Sequence, residues 1–443
     1  MAKHYTNFID ELRDHTQRLK NEGLTSATFP THLLKRIVEF EVAEGGPYAI
    51  GGNRGVPDFE MNFEIARFLQ AFGVRLPKLD DYLDRTVVGG GENVRKEYEK
   101  FVRQRFQISK KDEQPALSKC EERMIDLIRD HAKERFTNLS PEMRKSAEHL
   151  IDRTIEGNTD RQMTLMPYFM REALGEKGKS FEDDCIAKLG LANVFFWSAF
   201  IAYDDFWDED ESAQPRLLPV ANLFARHFVD FFATYFNADV RIFFHHLMDL
   251  LDGANAQEIA HFRLRREGSL VYPPSKFPDY GDFSIKFYPA AGHTIAALSM
   301  LSVLNHDSRS ENFRNMLSYF KHYLIAMQIN DDAHDWKEDL ARGHLSTALS
   351  LLLNDWRANH PTTDFIDLHR DLPELEHLFW FHTLRSLCEI VQVHTKISRR
   401  ALASVTLIEN RAPLEQFITR PEASASRALE EQRNSLEIIR VFS

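Results

Sequence analysis

The chain has 443 residues, a formal charge of −12, 43% hydrophobic residues and 28% charged ones. That balance excludes a disordered chain, and the acidic excess excludes a general nucleic-acid binder. Three widely spaced cysteines, Cys120, Cys185 and Cys388, exclude a disulfide framework and a CxxC metal site, and suit a reducing, cytoplasmic setting.

The first twenty residues carry charges throughout and no apolar run, so no signal peptide is expected. Residues 1–95 read as a helical extension. They hold a turn-rich piece, Gly45 to Glu60, then an amphipathic stretch from Met61 to Phe72 and a glycine cluster at Gly89 to Gly91. Residues 96–157 read as a charged helical connector, with Ser140 as an N-cap before Pro141 and Glu142. Residues 158–443 are richer in apolar and aromatic side chains and read as the catalytic domain. Leu189, Ala192, Phe196 and Phe200 recur at helical spacing, as do Leu317, Phe320 and Leu324, and Leu378 to Ile408 continues the pattern. No run of strands with hairpin turns stands out, so the predicted class is all-α. The longest apolar stretches, Asn193 to Tyr203 and His293 to Leu304, are too short to cross a bilayer and read as core helices.

Two acidic rows carry the chemistry. Asp204-Asp205-Phe206-Trp207-Asp208 and Asp331-Asp332-Ala333-His334-Asp335 both read DDxxD. On a helix, residues four apart share a face, so Asp204 lies over Asp208 and Asp331 over Asp335, with Asp339 one turn on. Each row follows an apolar stretch, which predicts carboxylates at the end of a buried helix. Clustered carboxylates repel and resist burial unless a cation joins them. Mg²⁺ is the expected ion, because it takes one or two carboxylates and completes its shell with phosphate oxygens. Two facing rows would hold several Mg²⁺ ions around a shared diphosphate. A third DDxxD, Asp80 to Asp84, lacks an apolar helix before it and reads as a solvated face.

A diphosphate also needs cations. Arg161, Lys286, His293, Lys337 and Arg342 lie in or beside the motifs. Arg263, Arg265 and Arg266 form a basic knot that reads as a surface cluster ending a helix. Aromatics such as Trp197, Phe200, Trp207 and Trp336 crowd the motif helices, as core or as the wall of a carbocation channel. His245 and His246 have no third ligand at metal spacing.

With these motifs in view, the sequence resembles the class I isoprenoid synthase superfamily, the all-α fold of trans-isoprenyl diphosphate synthases and class I terpene synthases. Arg161 stands eleven residues before Glu172-Ala173-Leu174-Gly175, as the family's Gly-Lys-Arg arginine stands before a similar EALG end. His293-Thr294 occupies the place of Lys-Thr, Gln328 precedes the second row as in Phe-Gln, and Gly343 follows it. The resemblance implies Mg²⁺, an allylic isoprenyl diphosphate substrate and no transmembrane segment, and it is compatible with a homodimer. It also implies that Asp204, Asp205, Asp208, Asp331, Asp332, Asp335 and Asp339 hold the metal.

The departures concern a second diphosphate site. Asp160 stands where the family has lysine, Trp197 where it has a histidine, and Pro215-Arg216 where it has Arg-Arg-Gly. Lost charge pairs would weaken a second diphosphate by several kcal/mol. The expectation is therefore a terpene synthase that ionises one allylic diphosphate, with a chain-elongating or head-to-head prenyltransferase as the alternative. The head-to-head reading has its own frame, Asp335-Trp336-Lys337-Glu338-Asp339 with Gly343, which resembles squalene and phytoene synthases, with Ala290-Ala291-Gly292 near their VAG-like element. The segment from Gly45 to Val74 resembles one α-toroid repeat without a DxDD acid motif.

Overall fold

A computed structural model describes Asp14 and residues 117–157, 161–207 and 213–442. The toroid-like segment, the DDxxD at Asp80 to Asp84, Asp160 and Asp208 lie outside the described residues. The chain divides into two compact units, one of residues 114–368 and 386–425, the other including residues 369–385 and 426–443.

The larger unit begins with α1, Lys119–Phe136. Ser118 caps it: its Oγ accepts from the Glu121 backbone at 3.3 Å while the Glu121 carboxylate accepts from the Ser118 N–H at 2.8 Å. Helix α2, Pro141–Gly157, starts at the serine cap expected from sequence, with Ser140 Oγ accepting from Met143 N–H. Both helices pack on α4 within this unit. Helix α3, Gln162–Leu174, follows Arg161 at φ 63° and ends at Gly175 at φ 60°.

Helix α4, Asp183–Trp207, is the centre of the unit. It is apolar on nearly every face and buries thirteen residues, as a helix surrounded by neighbours must. Among the described residues it alone is long and apolar enough to cross a membrane, and 72% of its apolar window is buried inside the protein. Against it packs α5, Leu218–Tyr235, and α6, Ala238–His261, capped by Asn237, meets α5 where Phe244 lies against Phe228. A four-residue helix, α7, Ser284–Phe287, follows Phe283 at φ 61°.

Helix α8, Gly292–Val303, is buried along eleven of its residues. It can lie against α4 because its first residue is glycine: a Cβ at Gly292 would fall inside the Phe196 ring. Gly292→Ala is therefore expected to destabilise the fold by about 1–3 kcal/mol through overpacking, read as a lower urea midpoint.

Helix α9, Glu311–Arg342, starts at the Ser310 cap and stops at Gly343, whose φ of 82° accommodates the left-handed turn. This corrects one expectation. The second acidic row does not end its helix, since α9 continues from Asp331 to Arg342. Helix α10, Thr347–Asn359, is capped by Ser346. A small antiparallel sheet, β1 Arg265–Glu267, β2 Leu270–Tyr272 and β3 Ile366–Asp367, departs from the strand-free reading. Its strands are two or three residues long, too short to show alternation.

Helix α11, Leu372–Leu378, leads through a π-helical turn, Phe379–Thr383, into α12, Leu384–Ser404. Within the smaller unit Gln432 donates to the carbonyl of Trp380. Helix α13, Ala412–Phe442, carries Pro421 inside it. In the larger unit α13 is held to α9, where Tyr319 Oη donates to Leu414 O at 2.9 Å.

Candidate active site

The first row sits on the last turn of α4. Asp204 is exposed, and Asp205 takes a bidentate pair from Arg153 of α2, at 2.7 and 2.9 Å. The α4 terminus is fixed by the basic knot. Arg263 Nη2 donates to Trp207 O at 2.8 Å, satisfying a terminal carbonyl and placing positive charge at the negative end of the helix. The backbone of the same residue bridges to His344, just past α9, and Leu264 N–H donates to Gly343 O at 2.8 Å. One arginine thus ties the end of the first row to the turn that follows the second. Arg265 is spent elsewhere, over the Tyr272 ring at 3.8 Å.

The second row lies on α9. Asp331 and Asp335 are exposed. Asp332 is enclosed by Lys286 of α7, at 3.1 and 3.2 Å, and accepts from Thr347 N–H at 2.9 Å, at the start of α10. Burial alone would lower the Lys286 pKa, but the Asp332 and Glu258 carboxylates outweigh it and hold the ammonium above its ordinary value. Each row therefore has its second aspartate engaged by a basic side chain and its first exposed. Lys337 lies 5.7 Å from its neighbour's ring at Trp336, and Arg342 is exposed on the last turn of α9.

Asp339 is pushed up to about 7, first by burial and then by the Asp332 and Asp335 carboxylates, against the Ser346 hydrogen bond and Lys286. Asp335 is also raised, by burial first and then by Glu338 and Asp332. Asp339 in the folded chain thus keeps a proton that the unfolded chain releases near pH 4. The stability this contributes is full below about pH 4 and is lost as pH rises through 7. In divalent-free buffer, urea unfolding is expected to show lower stability at pH 8 than at pH 5, with a smaller difference in Asp339→Asn. An unchanged difference would assign the pH dependence to other groups.

Below the second row lies a cavity of about 410 Å³. Its wall includes Trp197 of α4, His293 of α8, Tyr323, Met327 and Asp331 of α9, and Phe417 and Arg420 of α13. Trp197 and His293 stack with ring centres 4.1 Å apart. His293 is 1% exposed, and burial lowers its pKa to about 3. Burial therefore favours the neutral ring, unlike the cation expected from sequence. Its Nδ1 and the Trp197 Nε1 are buried without a hydrogen-bond partner among the described residues. Arg161 lies beside the cavity in a left-handed backbone and pairs with Glu121 at 3.4 Å.

Sequence reasoning missed Arg153, Arg263's tie to α4, and Arg420. Arg153 is about three and a half turns from Ser140 on a helix read as connector, and no local pattern links it to Asp205. Among the described residues no three His, Cys, Asp or Glu side chains form a ready metal cage. The donor set still fits Mg²⁺, which keeps several waters and takes only one or two carboxylates when phosphates complete its shell. Asp335 and Asp339 are raised first by burial and then by neighbouring carboxylates, both of which a bound cation would offset.

The chain has the all-α fold of the class I isoprenoid synthases. It is similar to the crystal structure of a decaprenyl diphosphate synthase from Rhodobacter capsulatus, with a TM-score of 0.51, 15% identity, and 69% of this chain and 97% of that one covered. A geranylgeranyl pyrophosphate synthetase from Geoglobus acetivorans aligns with a TM-score of 0.49 and 12% identity, over 69% of this chain and 98% of that one. No protein-family model and no curated protein matches the sequence.

Proposed function

We propose that the chain is a Mg²⁺-dependent prenyltransferase that ionises an allylic isoprenyl diphosphate and passes the carbocation to an acceptor. The observation that carries this is the pair of exposed aspartates, Asp204 and Asp331, on two helices tied together through Arg263, with a cavity reaching Asp331. Mg²⁺ would be held by Asp204, Asp331 and Asp335 and would neutralise charge building on the leaving diphosphate. Lys286 buttresses the second row through Asp332. The aromatic rings of the wall favour positive charge in the cavity.

Prenyl transfer is preferred over the cyclisation expected from sequence because the fold is similar to that of a decaprenyl diphosphate synthase. The terpene-synthase reading keeps one observation in its favour. The neutral Trp197–His293 stack stands in the cavity where the sequence departs from the family's cationic pattern. Purified protein with Mg²⁺ and farnesyl or geranylgeranyl diphosphate, with and without isopentenyl diphosphate, separates the two. The expected result is a longer diphosphate that forms only when isopentenyl diphosphate is present. Hydrocarbon or alcohol from the allylic substrate alone would return the assignment to a terpene synthase. No release of diphosphate from any allylic substrate would end both.

A further inference from the structure

We propose that Arg420 is the specificity-determining cation that receives a phosphate-bearing acceptor in the cavity. The inference rests on the prenyl-transfer reading and names the residue that replaces the basic groups missing around Trp197.

Arg420 alone among the described lysines and arginines lines the cavity. It is exposed, and its guanidinium has no ion-pair or hydrogen-bond partner among the described residues. Nearby Arg399 is different, spent on Glu415 at 3.1 Å and Glu422 at 2.6 Å. A guanidinium on a cavity wall with its donors uncommitted matches the planar fork that phosphate oxygens take bidentately.

The position is built rather than incidental. Phe417, one turn before Arg420, is buried against Tyr323 of α9 and Phe169 of α3, at ring separations of 5.9 and 5.5 Å. Tyr319 fixes the preceding turn of α13 through Leu414. Pro421 cannot donate to the Phe417 carbonyl, so the helix loosens at the turn that faces the cavity. Three helices therefore set where the Arg420 side chain begins, and its long stem supplies the reach.

The rest of the wall explains why one residue matters. His293 is neutral, and Trp197, Met163, Met327 and Phe417 carry no charge. Asp331 supplies negative charge at the rim, which repels a bare phosphate and favours one screened by Mg²⁺. Among the described residues of the wall, an acceptor phosphate entering this cavity finds its positive partner on α13.

The test compares the parent with Arg420→Gln and Arg420→Lys. Isopentenyl diphosphate and its uncharged counterpart, isopentenol, are titrated without allylic substrate and followed by isothermal calorimetry, so the binding result is independent of turnover. Arg420→Gln is expected to weaken isopentenyl diphosphate at least tenfold, and Arg420→Lys is expected to recover part of the loss. Isopentenol is expected to be indifferent to both. In steady state, KM for isopentenyl diphosphate should rise tenfold while KM for the allylic diphosphate moves less than threefold. Equal rises in both KM values would assign Arg420 to the allylic diphosphate and overturn the proposal. Unchanged affinity, or no binding of isopentenyl diphosphate to the parent at millimolar concentration, would overturn it too. If the parent binds isopentenyl diphosphate through Arg420 yet releases no diphosphate from an allylic substrate, the prenyl-transfer reading falls and the Arg420 assignment stands.

Discussion

Asp331→Ala is expected to lower turnover by roughly 10³-fold or more while leaving the unfolding free energy unchanged or slightly raised. The carboxylate is exposed on α9 and lines the cavity, where a metal ion would meet the leaving diphosphate. Metal stabilisation of that charge amounts to several kcal/mol, and each ~1.4 kcal/mol is a factor of ten in rate. Stability should not suffer, because Asp331 is exposed and shares its helix face with the Asp335 and Asp339 carboxylates. Taking one charge from that crowd relieves repulsion. Asp204→Ala is expected to behave alike. Steady-state kinetics and urea melts read both halves, and activity within a few-fold of the parent would remove Asp331 from the metal site.

What could be read from the sequence is what local periodicity encodes. Asp331, Asp335 and Asp339 lie four apart, and a helix puts them on one side whatever surrounds it. The apolar stretch before Asp204 is likewise legible as a buried helix, and α4 is buried there. The roles within each row are not legible. Asp205 and Asp332 are the second letters of identical motifs, yet their partners, Arg153 and Lys286, lie 52 and 46 positions away. Spacing alone cannot separate an exposed aspartate, as Asp204 and Asp331 are, from one enclosed like Asp332.

His293 shows a different limit. Its place beside Thr294 suggested a cation, but charge on a histidine depends on what surrounds it, and α8 buries it under Trp197. Arg420 failed for the converse reason. One arginine among many on an amphipathic helix carries no signal until packing of Phe417 turns its helix toward the cavity. The short sheet and the continuation of α9 past the second row also escaped, since strands of two or three residues show no alternation and the apolar stretch that marked the helix stops before Asp331 although α9 runs on to its cap at Gly343.

Those assignments within the second row make opposite demands on neighbouring aspartates. Asp332→Ala is expected to destabilise the larger unit by about 3–5 kcal/mol, whereas Asp331→Ala should not. The Asp332 and Lys286 side chains are 11% and 12% exposed, so removing the carboxylate strands a buried ammonium. It also removes the acceptor for Thr347 N–H at the start of α10, where a carboxylate offsets the helix dipole. Lys286→Met in the same chain should restore more than half of the loss, because no uncompensated charge then remains. Lys286→Met alone should cost less than Asp332→Ala, since Asp332 keeps the Thr347 hydrogen bond. Urea melts of the two single variants and the double variant form a mutant cycle, and the expected coupling is at least about 1.5 kcal/mol. A cost below about 1 kcal/mol for Asp332→Ala, or an additive double variant, would mean that Lys286 finds solvent or another partner, and that Asp332 is as available to a metal ion as Asp331.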